Sequence, residues 1–177
     1  MCAIESVART ISRSGVRRVL LANYTAGRAE KALLERFGLE VESISVAADG
    51  SGFLEDIRRR SMEAVMHRFA PGRVRPDLVI FTDDHVAFGG LLALALRGVK
   101  VPGDTSVITL SNRGAASVWP QSLARIEVDS LADGKALTAH AVAKIEGRPA
   151  PEVSWRTRFI PGETFPFSIN SKQRRRS

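Results

Sequence analysis

Two patterns of apolar spacing alternate along this chain. Ile4, Val7, Ala8 and Ile11 recur at helical intervals, and that pattern stops at Ser14-Gly15. Val19-Leu20-Leu21-Ala22 is a short unbroken apolar run, as in a strand buried on both faces. A second helix is predicted over residues 26–37, closed by Gly38. Val41 to Val46 then alternates apolar with polar, as an edge or half-buried strand does. Asp49-Gly50-Ser51-Gly52 reads as a turn, after which Leu54, Ile57, Val65, Met66 and Phe69 mark a third helix. Leu78-Val79-Ile80-Phe81 is the clearest buried strand. It runs through Thr82-Asp83-Asp84 into a fourth helix over residues 85–97 that ends at Gly98, and residues 106–110 form the next strand.

Strand–helix steps of this kind predict an α/β fold, a doubly wound parallel sheet with helices on both faces. The last third of the chain changes character. Ser111 to Gln121 reads as a loop, Leu123 to Val128 as a strand, and Asp129 or Ser130 as the cap of a helix running to Ile145. Gly147-Arg148-Pro149 stops that helix. Val153, Trp155, Thr157 and Phe159 alternate with Ser154, Arg156 and Arg158, which predicts a final strand with one apolar face. Residues 168–177 read as a mobile basic tail.

Composition narrows the class. A chain of 177 residues can bury a real core, and its apolar (44%) and charged (25%) fractions are those of a soluble globular domain. No apolar run approaches the roughly 18 residues that span a bilayer, and Met1-Cys2-Ala3-Ile4-Glu5 does not open a secretory signal. A single cysteine, Cys2, excludes an internal disulfide and fits a reducing compartment, so a cytoplasmic location without membrane contact is expected. The net charge of +7 raises the question of nucleic acid. The basic residues stand at Arg17-Arg18, Arg58-Arg59-Arg60, Arg73, Arg75 and Arg174-Arg175-Arg176, without interleaved aromatics or a helix-turn-helix pattern. Solvated helix faces and the tail account for them.

Few residues suggest chemistry. Asp83-Asp84 stands at the C-terminal end of the best strand, where open parallel sheets bind ligands. Carboxylates there can orient sugar hydroxyls, hold magnesium or act in acid–base work. Capping the following helix is the plainer role for Asp84, and adjacent carboxylates can divide the two tasks. Arg28, after Tyr24-Thr25-Ala26-Gly27, is placed at the same crevice edge, where its fork of N–H donors suits hydroxyl pairs, carboxylates or phosphates. Taken alone, a surface arginine is the plainer reading. His67, His85 and His140 lack metal-ligand spacing, and neither a P-loop, a nucleophile elbow nor a dinucleotide fingerprint is present. No metal, cofactor or catalysis is predicted.

Longer motifs carry a resemblance. Pro76-Asp77-Leu78-Val79-Ile80-Phe81-Thr82-Asp83-Asp84-His85-Val86-Ala87-Phe88-Gly89 resembles the strand, acidic turn and Ala-x-Gly helix of lactose-repressor/galactose-repressor (LacI/GalR-type) transcriptional regulators. Gly98-Val99-Lys100-Val101-Pro102-Gly103-Asp104-Thr105-Ser106-Val107-Ile108 resembles their following turn and strand. Leu123 to Asp129 resembles the crossover strand, and Asp133-Gly134 with Ile145-Glu146-Gly147-Arg148-Pro149 the helix after it. Gly15-Val16-Arg17-Arg18-Val19 extends the likeness to nearly the whole chain.

The resemblance implies a periplasmic-binding-protein-like (type I) C-terminal subdomain used inside the cell to sense a sugar-like small-molecule effector, without turnover. It implies residues 1–122 as the effector-binding subdomain and 123–150 as a crossover strand and helix toward a further subdomain. Residues 151–167 become a returning strand and 168–177 the tail. A homodimer is implied, with DNA reached only through a headpiece outside this chain. Mapped onto this sequence, the effector-binding residues are Arg28, Asp83, Asp84, Ser111 and Asn112. Lys31 and Ala32 replace the glycine and aromatic residue usual after that arginine, and Ser111-Asn112 stands where the family commonly has two aspartates. Transporter-linked sugar-binding proteins share the fold, and a small enzyme holding a metal on Asp83-Asp84 is the alternative from another class.

Overall fold

The structure is a computed structural model, and it describes residues 3–24, 27–46, 54–115, 119–153 and 157–165. The elements follow the predicted alternation: α1 (Ala3–Ser12), β1 (Arg18–Asn23), α2 (Arg28–Arg36), β2 (Glu40–Ser45), α3 (Leu54–Arg68), β3 (Leu78–Phe81), α4 (Asp84–Leu96), β4 (Ser106–Asn112), β5 (Ala124–Val128), α5 (Ser130–Ile145) and β6 (Thr157–Ile160). They build one six-stranded sheet in the order β2-β1-β3-β4-β5-β6. All neighbours are parallel except β5 and β6. The turn read at Asp49-Gly50-Ser51-Gly52, part of the last strand's alternation and the tail at 168–177 lie outside the described residues.

Period-two alternation sorts the strand residues between two cores. Leu20, Ala22, Val79, Phe81 and Val107 face α3 and α4 and pack with Ile57, Val65, Val86, Leu91 and Leu94. Val19, Leu21, Leu78, Ile80, Ile108, Ala124 and Ile126 face the other way, against Val7, Ala8 and Ile11 of α1 and Leu34 of α2. β1 and β3 are the interior strands buried on both faces, which explains their unbroken apolar runs. β2 closes one edge and alternates as an edge strand should.

Two contacts fix how the layers meet. A Cβ on Gly89 would lie 2.0 Å from the carbonyl oxygen of Arg58, so α3 and α4 touch at a point only glycine allows. Beside it, Ser61 Oγ donates to Val86 O at 2.7 Å, and this buried bond locks α3 to the first turn of α4. At the opposite end of the sheet Asp77 accepts from the backbone N–H groups of Arg17 and Arg18 at 3.0 and 2.9 Å, clamping the starts of β1 and β3.

After β6 the chain turns back so that buried Thr164 fills the gap between the starts of β4 and β5. Val107 N–H donates to Thr164 O, Thr164 Oγ1 donates to Val107 O, and Ala124 N–H donates to Thr164 Oγ1, each at 2.9 Å. The side chain of Asp129 caps α5 by accepting from Ala132 N–H at 3.1 Å, one of the two capping residues the sequence offered. α5 buries only Asp133 and Ala143 among its described side chains, and it exposes Leu131 (70%) and Ile145 (85%).

The strand read as ending at Leu110 continues to Asn112, because Ser111 and Asn112 pair with Glu127 and Val128 of β5. Polar composition suggested a loop there, but a parallel neighbour satisfies the backbone and extends the ladder.

Candidate functional site

β4 and β5 carry polar residues on the face that looks toward α3 and α4. Thr109 and Ser111 alternate with Ile108 and Leu110, and Arg125 and Glu127 alternate with Ala124 and Ile126. Neither α3 nor α4 covers this part of the sheet fully, and a cavity of about 360 Å³ opens there. That size falls within the roughly 300–1,000 Å³ of small-molecule sites. Its polar walls are Arg58, Asp84, His85, Thr109, Ser111 and Arg125, and Phe88, Leu91 and Leu123 give it an apolar side.

The acidic turn divides its labour. Asp83 Oδ1 accepts from the N–H groups of His85 and Val86 at 2.8 and 3.3 Å, so Asp83 is the helix cap. Capping therefore falls on Asp83, whereas the sequence reading gave that role first to Asp84. Asp84 is the first residue of α4, and its carboxylate turns to the cavity, 3.7 Å from His85 Nε2.

Arg58 comes from the α3 side. A guanidinium can only donate, so its Nη2–H, 3.2 Å from His85 Nδ1, assigns that ring nitrogen as the acceptor. Its charged plane lies 4.8 Å from the centre of the Phe88 ring. Arg58 Nε is enclosed without a hydrogen-bond partner, and so is Ser111 Oγ. Arg125 differs, since its Nη2 meets Glu127 Oε2 at 3.1 Å.

Of the residues singled out in the sequence, Asp84 and Ser111 line the cavity. Asp83 supports it through the cap. Asn112 is exposed at the end of β4 and accepts from Ser130 Oγ, at the start of α5. Arg28 opens α2 after Gly27 at the same end of the sheet, exposed and outside the cavity. Arg58, His85 and Arg125 were missed as wall residues. Arg58 stood in a basic triplet read as a solvated face, but Arg59 and Arg60 alone turn outward to Asp56 and Glu63. A signal was available: Arg58 interrupts the inward stripe formed by Ile57, Ser61 and Val65. Among the described residues no cluster of His, Cys, Asp and Glu could hold a metal ion.

A known family matches most of the chain. The periplasmic binding protein-like domain family matches residues 9–165. The chain belongs to that family. No curated protein matches it. Solved structures of LacI-family regulators share this family's fold with it. One is a sugar-binding transcriptional regulator from Enterococcus faecalis, with a TM-score of 0.77 and 20% identity over 93% of this chain and 62% of the other. Another, from Arthrobacter sp. FB24 in complex with lactose, has a TM-score of 0.71 and 18% identity over 92% and 64%. A third, from Lactobacillus casei with bound glucose, has a TM-score of 0.66 and 19% identity over 91% and 62%. The chain thus spans less than two thirds of the length of these relatives. No helix of the described residues is long and apolar enough to cross a membrane.

Proposed function

We propose that this chain is the effector-sensing part of a LacI/GalR-type transcriptional regulator and that its cavity takes a sugar-like small molecule without turning it over. The observation that carries the reading is the cavity itself. Acceptors and donors (Asp84, Ser111, Arg58) stand opposite an apolar wall (Phe88, Leu91, Leu123), which suits a ring with hydroxyl edges and a C–H face. Lactose and glucose in the solved relatives support the same class of ligand. Asp84 and Ser111 contact the effector, Asp83 holds the end of α4, and Arg28 and Asn112 act from outside the cavity at the same end of the sheet.

The division at residue 122 accompanies this reading. Residues 123–150 form a limb whose helix α5 leaves apolar side chains uncovered, as a segment crossing to a second subdomain does. Residues 151–167 return to the sheet, and 168–177 form the tail. Effector binding shifts the population of clamp angles, and a cytoplasmic homodimer transmits that shift to a DNA-binding headpiece. Phe88, Leu92 and Leu96 form an exposed apolar stripe on α4 that a second copy of the chain can cover.

Thermal unfolding of the purified chain against a panel of sugars, sugar acids and sugar phosphates tests the reading. A ligand of the native state raises the melting temperature with its concentration. One class of compound should do so, and Asp84→Ala should remove the shift. A flat response to the whole panel would sink the proposal.

A further inference from the structure

We infer that the effector of this cavity is an anion as well as a polyol: a small hydroxylated molecule bearing a carboxylate or a phosphate, which Arg58 holds. The inference rests on the effector-pocket reading above and adds the chemical class of the ligand.

The argument starts from charge. Arg58 brings a guanidinium that stays protonated at any physiological pH into a cavity walled in large part by Ala87, Phe88, Leu91 and Leu123. A charge in such surroundings is costly unless an opposite charge faces it. Among the described residues no carboxylate forms an ion pair with Arg58. Its partners are a histidine nitrogen at 3.2 Å and the face of Phe88 at 4.8 Å, and its Nε–H has none. All of these leave the positive charge unbalanced.

Arg125 provides the internal control. It lines the same cavity, yet Glu127 stands 3.1 Å from its Nη2 and cancels its charge. The one acidic wall residue among the described residues, Asp84, faces His85 rather than Arg58. The cavity therefore has a cationic side at Arg58 and an acceptor side at Asp84. Ser111 adds a second donor, because its buried hydroxyl has no partner among the protein groups.

A carboxylate or phosphate supplies both missing elements, an acceptor for N–H and O–H donors and a counter-charge for the guanidinium. A neutral sugar supplies acceptors but leaves the charge standing. Asp84 repels an anion and accepts hydroxyl protons, so the ligand lies with its charged end toward Arg58 and its hydroxyls toward Asp84.

Calorimetric titration of the purified chain with matched compounds tests this: glucose and galactose, their 6-phosphates, and gluconate and galactonate. At least one charged compound should bind roughly ten- to hundredfold tighter than its neutral parent, the effect of one charge-assisted hydrogen bond. Whether a phosphate or an acid wins distinguishes the two sources of charge. Arg58→Gln should abolish the preference, weakening the charged compound far more than its neutral parent. If thermal melting shows that this variant has lost its fold, Arg58→Lys is used, which keeps the charge without the fork and should shrink the preference. Neutral parents binding as tightly as their charged counterparts would overturn the inference and leave the effector-pocket reading standing. A wild-type chain that binds none of the six compounds would overturn both.

Discussion

The two faces of β4 and β5 belong to the same pair of strands and end in opposite states. On one face Ile108, Ala124 and Ile126 are sealed beneath α1 with Phe165, whose ring meets Phe159 edge-on at 6.5 Å. On the other, Thr109, Ser111 and Arg125 look into an open cavity. Strand alternation makes such a division automatic, because neighbouring side chains point to opposite sides. Helix supply decides which side closes. α3 and α4 lie against each other over β1 and β3 and leave β4 and β5 partly bare. The site is the place where a doubly wound sheet runs short of helix on one face, and the chain puts Thr109, Ser111, Arg125 and Glu127 there.

The largest way to break this arrangement is Gly89→Ala. The added carbon would sit 2.0 Å from Arg58 O, and backbone must move to admit it. We expect a loss of about 3 kcal/mol or more in chemical denaturation, at or above the upper end of overpacking effects. The walls contributed by Arg58 and His85 should separate at the same time, weakening ligand binding beyond the loss of stability.

Next in size is Ile108→Ala on the closed face. Ile108 is fully buried, and its truncation should cost about 3 kcal/mol, the usual range for a buried large-to-small change. Ser111→Ala, three residues along the same strand and on the open face, should stay within about 0.5 kcal/mol, because its hydroxyl makes no protein hydrogen bond to lose. Measured side by side, equal effects would show that the two faces do not differ as described.

A smaller effect is expected at the N-terminal edge of the sheet. Burial pushes the Asp77 carboxyl up, but the backbone N–H groups of Arg18 and Arg17 and the Arg18 guanidinium outweigh it, and the net shift is downward. A lowered folded-state pKa means that the stabilisation is complete above the unfolded value of about 3.9 and is lost as pH falls through the lowered one. Asp77→Asn should therefore flatten the acid limb of the stability curve. At neutral pH it should cost about 1 kcal/mol, allowing for solvent screening of a partly exposed pair.

The sequence made the sheet legible for a physical reason. β1 and β3 are buried on both faces, which leaves the short unbroken apolar runs Val19–Ala22 and Leu78–Phe81, each bounded by polar residues. The acidic turn was legible as well, since an aspartate pair between a buried strand and a helix has few roles. Arg58 was not. Its neighbours Arg59 and Arg60 pair with Asp56 and Glu63 on the solvent side, and a triplet of like residues hides the one member that a helical turn of about 100° per residue carries inward. The strand character of Ser111 and Asn112 was also hidden, because it depends on pairing with Glu127 and Val128 of β5 rather than on their own propensity.

Thr164 sets a timetable for the growing chain. It occupies the gap between the starts of β4 and β5, bonded to Val107 across 57 positions of sequence and to Ala124 across 40. Contacts so distant form late, since the intervening chain must first be made and then closed into a loop. As the protein emerges from the ribosome, β1, β2 and β3 can assemble with α3 and α4 soon after residue 97 is released. The N–H groups of Val107 and Ala124 then wait in water until residue 164 arrives. The half of the sheet that holds the open cavity is thus the half completed last.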